Sequence, residues 1–275
     1  MSKKAIIFTI DGVRADAIQL ANTPYLDSKL LTGASSFNGR CIMPSITTPN
    51  HASLFRSQSA EQHGIFDNYD LAAQDNTHLS LFDKIYDSGK LCAAVISYLP
   101  LMNAYGHCEK LNFALHSNIS IGVEHKIPDN YYALLEQHLV KGAKLIIDNN
   151  VDLAHVYIEA PDVVGHNKGW MSDHYIESIE QSDRLIASFI EQLGESAKDY
   201  TFFVTTDHGG HGHDHGTDCA EDMTIWFISF GDSIKQTKID NFSILDVVPS
   251  IAQYLGVEPE THWQGKPLDI YSCER

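Results

Sequence analysis

Apolar positions along the chain fall into short continuous runs separated by segments with helical spacing. Ala5–Asp11, Leu91–Tyr98, Leu153–Glu159, Tyr200–Asp207 and Asp222–Phe230 each read as strands, and LCAAVISY, nearly all apolar, as a strand covered on both faces. Between them, Pro24–Leu31, Pro49–Gln58, Leu79–Ser88, Tyr131–Asn149, Ser172–Leu193 and Ile244–Leu255 have the apolar spacing of helices, the last closed by Gly256. A further short strand is expected near Asn38–Met43. Strands alternating with helices predict right-handed βαβ units, hence an α/β fold: a three-layer αβα sandwich around a largely parallel sheet. Residues 99–130 break this rhythm with turn residues and read as a small lid inserted in a single domain spanning 1–275.

Three of the apolar runs end in an aspartate: KAIIFTID at Asp11, DLAHVYIEAPD at Asp162 and YTFFVTTD at Asp207. In an open α/β sheet, ligands bind beyond the carboxyl ends of the strands, so these three acids can converge. Histidines stand close to two of them. His166 follows Asp162, His208 follows Asp207, and His215 lies in the run HGGHGHDHG. Three carboxylates and three imidazoles can hold two divalent metals, and such a donor set suits zinc, with manganese or iron as alternatives. His211 and His213 in the same run are expected to support ligands rather than to be ligands, Cys219 to be a small core residue, and His51 and His63 to pack or hydrogen-bond.

The segment PSITTPNHASLF adds a hydroxyl. Pro49 suits the first turn of a helix, because its missing N–H would be unpaired there, and this leaves Thr47 and Thr48 at the helix mouth. Unpaired backbone donors and the positive end of the dipole favour an anion at that position. A threonine hydroxyl is a poor nucleophile near neutral pH, and coordination to a divalent cation activates it. Two dications would balance three aspartates and one threonine alkoxide.

Charge and composition narrow the partners. The 275 residues carry a formal charge of −17, which repels a nucleic acid polymer or an anionic membrane surface over most of the molecule. A small anionic phosphate ester is still accepted where bound cations reverse the local field. No apolar run reaches membrane-spanning length, and the start MSKKAIIFTIDG lacks a secretory pattern. Five cysteines without CxxC spacing argue against a disulfide framework, so a cytoplasmic address is expected.

Taken in order, TIDGVR around Asp11, TTPNH at Thr47, HGIFDN ending at Asn68, EAPDVVGH from Glu159 to His166, TDHG at Thr206–Gly209, HG at His215 and the closing LDVVPSIAQYLGV resemble the alkaline phosphatase superfamily, most closely its nucleotide pyrophosphatase/phosphodiesterase branch. The resemblance covers most of the chain. It implies that Asp162, His166 and His215 hold one metal, and that Asp11, Asp207, His208 and Thr47 hold the other. It also implies a covalent phosphothreonine at Thr47 rather than Thr48, with Asn68 donating to a non-bridging phosphate oxygen. The expected function is two-metal hydrolysis of a phosphodiester or pyrophosphate bond. Alternatives on the same site are a phosphomonoesterase or a phosphonate hydrolase, and from another class a non-catalytic metal-buffering protein built on the histidine run. Tyr69, Tyr98, Tyr105 and Trp170 are candidates to line the pocket for a second ester group. Arg14, Arg56 and Lys168 are expected to be structural or surface charges. A sulfatase is disfavoured, because Cys41-Ile-Met-Pro-Ser lacks that family's spacing.

Overall fold

A computed structural model describes residues 3–70, 79–117, 119 and 127–272. Among the described residues nine strands form one sheet: β1 (Lys4–Ile10), β2 (Ala34–Arg40), β3 (Cys92–Ile96), β4 (Phe113–His116), β5 (Leu153–Ile158), β6 (Tyr200–Thr205), β7 (Thr224–Phe230), β8 (Thr237–Lys238) and β9 (Phe242–Ser243). Their order is β4-β3-β5-β1-β6-β7-β2-β8, with β9 pairing β2. Only β7 runs against its neighbours β6 and β2; every other pairing is parallel. The largely parallel α/β sheet expected from the alternation is therefore present.

Two apolar layers sandwich the sheet because side chains alternate along each strand. On β1, Ile6, Phe8 and Ile10 pack with helices Tyr131–Asp148 and Asp173–Leu193, whereas Ala5 and Ile7 join the opposite layer with helices Thr47–Arg56 and Val247–Leu255. The helix Asp173–Leu193 starts where Ser172 Oγ accepts from the Tyr175 amide, a side-chain cap.

Four boundaries differ from the sequence reading in informative ways. The strand expected at 38–43 lies at Ala34–Arg40, where small and polar residues (ASSFNGR) mask the pattern. The helix expected from Pro49 begins two residues earlier, with Ile46 as its cap and Thr47 and Thr48 as its first two residues. The final helix proper is Val247–Leu255, preceded by a short 3₁₀ turn at Ile244–Asp246. Of the region read as a lid, 99–105 and 108–110 are 3₁₀ turns and 113–116 is β4, a strand of the sheet itself. Residues 118 and 120–126 lie outside the described residues.

The centre of the sheet places the chemistry. β1 lies between β5 and β6, with Ile10 opposite Ile158 and Thr9 opposite Thr205. Asp11, Glu159 and Thr206 therefore leave three adjacent strands at one edge, and the Asp11 amide still donates to Ile158 O at 2.9 Å.

Candidate metal centre

Asp11 follows β1 directly, and the next residue must be glycine. Gly12 has φ +67°, and a Cβ there would stand 2.9 Å from Asp162 Cβ. This close approach brings the loop after β1 against the helix Ala160–Lys168, whose first turn carries Asp162 and whose next turn carries His166. Asp207 and His208 follow β6, and His215 returns from the histidine run to stack on His208 with ring centroids 4.0 Å apart. Gly210 is required by another close packing, since a Cβ would meet the Trp170 ring at 2.2 Å.

All seven expected ligands, Thr47 included, meet at one place. Asp162, His208 and His215 offer ligand atoms within 4.8 Å of one another, and so do Asp11, Asp207 and His208. His166 Nε2 lies 3.5 Å from Asp162 Oδ1, as does His215 Nε2. His208 Nε2 lies 3.2 Å from Asp11 Oδ1, 3.4 Å from Asp207 Oδ2 and 3.3 Å from Thr47 Oγ1. Thr47, buried at the start of its helix, thus faces the Asp11 side of the cluster.

The hydrogen bonds around the cluster leave its donor atoms suited to cations. Each of the three histidines uses Nδ1 on a backbone carbonyl: His166 on His213 O, His208 on Gly209 O and His215 on Ser45 O. This arrangement turns every Nε2 inward, the orientation that carbonyl partners impose on metal-ligating imidazoles. Asp11 Oδ1, Asp162 Oδ1 and Asp207 Oδ2 are buried without any hydrogen-bond partner. Buried carboxylate oxygens are rarely left so, and three in one place fit a pair of divalent cations.

The protonation pattern of the metal-free cluster has the same origin. Burial, followed by the charge of Asp11, pushes Asp162 and Asp207 well above the usual carboxylate range. Burial acts the same way on Asp11, but the close approach and charge of His208 outweigh it and hold Asp11 low. Burial alone would lower His208; Asp207 and Asp11 raise it to about 10. Burial and the neighbouring His208 lower His215 to about 3. Protons occupy the site where positive charge is needed, and metal binding would release them.

Beside the cluster lies a cavity of about 370 Å³ lined by Asp11, Thr47, Asn68, Tyr69, Tyr98, Glu159, Asp162, His166 and His215. Asn68 Oδ1 accepts from the Thr48 amide at 2.9 Å, which leaves the Asn68 NH₂ as a donor on the cavity wall. Tyr69 and Tyr98 line the cavity as expected. Tyr105 is fully buried elsewhere, and Trp170 is a packing residue whose Nε1 donates to Gly12 O. Arg14 pairs with Asp16 at 2.7 Å, and Arg56 donates to Asn103 O at 3.2 Å. No Lys or Arg is among the described residues lining the cavity.

Sequence reasoning missed several supports. The Tyr157 hydroxyl donates to Asp11 Oδ2, and Glu159 accepts from Ser97 at 2.8 Å and Tyr131 at 3.0 Å. The alternation LAHVYIE, which puts His155, Tyr157 and Glu159 on one side of β5, was the available signal. His51 and His63 are hydrogen-bonded in the interior, to Thr9 and Ser53 respectively. His213 exchanges contacts with His166 through both backbone carbonyls. His211 bonds Asp222 at 2.7 Å with Cys219 Sγ 3.6 Å from the same nitrogen; here both Asp222 oxygens have partners, the second being Thr217.

Comparison with known proteins adds independent findings. Residues 5–224 match the family described as Type I phosphodiesterase / nucleotide pyrophosphatase. Venom phosphodiesterase of Naja atra is 27% identical over 204 residues, covering 68% of this chain and 24% of that protein. Ectonucleotide pyrophosphatase/phosphodiesterase family member 5 of Homo sapiens is 25% identical over 280 residues, covering 99% of this chain and 57% of the relative. The chain thus spans about a quarter of the venom protein and just over half of the human one. Among solved structures, murine ectonucleotide pyrophosphatase/phosphodiesterase 5, as an inactive variant in complex with AMP, superposes with TM-score 0.77 at 16% identity, covering 94% of this chain and 96% of that one. A phosphonate monoester hydrolase from Silicibacter pomeroyi gives TM-score 0.73 at 14% identity over 97% of this chain and 76% of the other.

Proposed function

This chain belongs to the type I phosphodiesterase/nucleotide pyrophosphatase family, and from that premise we propose that it hydrolyses phosphodiester or pyrophosphate bonds in small nucleotide-like esters, using two divalent metals and a covalent phosphothreonine at Thr47. The observation that carries this reading is the three orphaned carboxylate oxygens and three inward Nε2 atoms gathered beside a buried threonine hydroxyl. Asp162, His166 and His215 would hold one cation, and Asp11, Asp207, His208 and Thr47 the other. Bound there, the cations would lower the pKa of the attacking hydroxyl and neutralise charge on the phosphoryl group. Zinc suits the His/Asp donor set.

The chain's own residues supply the rest. Thr47 Oγ1 attacks phosphorus and displaces the alcohol or phosphate leaving group. Water then hydrolyses the phosphothreonine and regenerates the hydroxyl. The Asn68 NH₂, aimed by the Thr48 amide, donates to a non-bridging oxygen, and its value grows as charge builds there. Tyr69, mostly exposed, and Tyr98 offer apolar faces for the second ester group. The absence of Lys and Arg among the described lining residues supports a diester over a monoester, whose extra anionic oxygen calls for another cation. The murine structure in complex with AMP supports a nucleotide-like substrate class. The free thiols of Cys41, Cys92 and Cys219 support the cytoplasmic reading.

The test is kcat/KM on matched p-nitrophenyl diester and monoester substrates with zinc-loaded protein. A strong diester preference is expected, and a monoester preference would move the assignment to a phosphatase.

A further inference from the structure

Behind the nucleophile lies a line of four buried polar side chains from four separate elements. Tyr105 closes the 3₁₀ turn after Tyr98 and bonds His155 Nδ1 on β5. His155 Nε2 lies 2.7 Å from Thr9 Oγ1 on β1, and Thr9 Oγ1 lies 2.9 Å from His51 Nε2. His51 Nδ1 lies 2.9 Å from the Thr47 carbonyl and 3.4 Å from Asp207 Oδ2. All four side chains are at 0% exposure, so water cannot substitute for a broken link.

With both imidazoles neutral, as burial keeps them, only one direction is open to the protons. A carbonyl accepts only, so His51 must carry its hydrogen on Nδ1 and leave Nε2 as acceptor. Thr9 must then donate to His51 and accept from His155, which places the His155 hydrogen on Nε2. His155 Nδ1 is left to accept from the Tyr105 hydroxyl. Four links thus run one way, from Tyr105 to the carbonyl of Thr47. Phe55, one turn beyond His51 on the same helix, stacks on Tyr105 at 5.0 Å and meets His155 edge-on at 4.9 Å, which fixes the rings in place.

We infer that Thr9, His51, His155 and Tyr105 are positioning residues: a one-way hydrogen-bond relay that orients the Thr47 end of its helix and holds the His51 N–H toward the Asp207 carboxylate. None of the four lines the cavity, so their effect passes through Thr47 and Asp207, and the inference rests on the roles proposed for those two. The relay also joins the cavity wall to the nucleophile, since Tyr98 caps the same turn that ends in Tyr105.

The decisive measurement is long-range ¹H–¹⁵N correlation on zinc-loaded, ¹⁵N-histidine-labelled protein, which reports the tautomer of each ring and needs neither a variant nor turnover. His51 protonated at Nδ1 and His155 at Nε2 is the expected result, with Tyr105→Phe shifting both rings. His51 protonated at Nε2, or unmoved by Tyr105→Phe, overturns the relay. Thr9→Val, which removes the hydroxyl at constant shape, is expected to lower kcat and zinc affinity by about 10–100-fold with little change in KM, and Thr9→Ser to recover most of both. Wild-type kcat and zinc affinity in Thr9→Val, or a loss that Thr9→Ser does not recover, also overturns it. If Thr47→Ala instead retains turnover, the nucleophile assignment fails while the tautomers still stand on their own.

Discussion

Two buried polar clusters share the loop edge of the sheet and differ in one respect. The cluster at the ends of β1, β5 and β6 leaves three carboxylate oxygens without partners. The line from Tyr105 to His51, a few ångströms behind it, leaves none of its links open. Burial costs the same kind of desolvation in both places, so the difference lies in what completes them. The first is completed only by added positive charge, and the second is complete as folded. The His211–Asp222 pair, with both carboxylate oxygens bonded, belongs with the second kind although it contains metal-capable groups. Among the described residues, the orphaned carboxylate oxygens single out the site better than the mere presence of His, Asp and Cys.

This contrast predicts a graded series of losses. Thr47→Ala should abolish turnover, on the order of 10³-fold or more, while metal content is unchanged. An unchanged rate would remove Thr47 as nucleophile. Asp207→Asn should weaken metal binding strongly, because it removes both a charge and an orphaned oxygen; full zinc occupancy by elemental analysis after dialysis would count against the ligand set. Tyr157→Phe removes only the hydroxyl on Asp11 Oδ2 and should reduce zinc affinity by roughly 10-fold, measurable by competition with a chromogenic chelator. An unaltered affinity would show that Tyr157 does not tune Asp11.

The smallest effect is on stability against pH. In the metal-free protein His208 sits at about 10 against an ordinary 6.5, so its contribution is complete below pH 6.5 and is lost as the pH rises through 10. Asp162 and Asp207, raised by burial, hold protons in the fold that the unfolded chain has released, and they act in the same direction. Thermal stability of the metal-free protein should therefore fall between pH 6.5 and 10. Zinc binding strengthens as its ligands deprotonate, so the loaded protein should not follow that fall. Parallel melting curves for the two forms would remove the cations from this account of the charge.

The sequence was most legible where chemistry and periodicity coincide. Asp11, Asp162 and Asp207 each end an apolar run, and neighbouring parallel strands necessarily bring such ends together. His166 follows from Asp162 by one helical turn. Within 99–130 the strand β4 went unread because it is a four-residue edge strand with Ala114 exposed and its other residues half-buried, and FALH has no alternation to reveal it. β2 was displaced for a similar reason, since Ser35 and Ser36 are buried polar residues that periodicity scores as surface. The relay was invisible because its partners are 42 to 146 residues apart and each histidine alone reads as a packing residue. Only the pairing of β1 with β5 and the seating of the Thr47 helix on them bring the four together.

The central claim is that the orphaned oxygens and inward Nε2 atoms hold two divalent cations beside Thr47. Its most direct test is the zinc stoichiometry of the Thr47→Ala protein compared with wild type, by elemental analysis after removal of excess metal. The account predicts two zinc ions per chain in both, with turnover lost only in the variant. One ion or none in the wild type, or turnover retained by the variant, would contradict it.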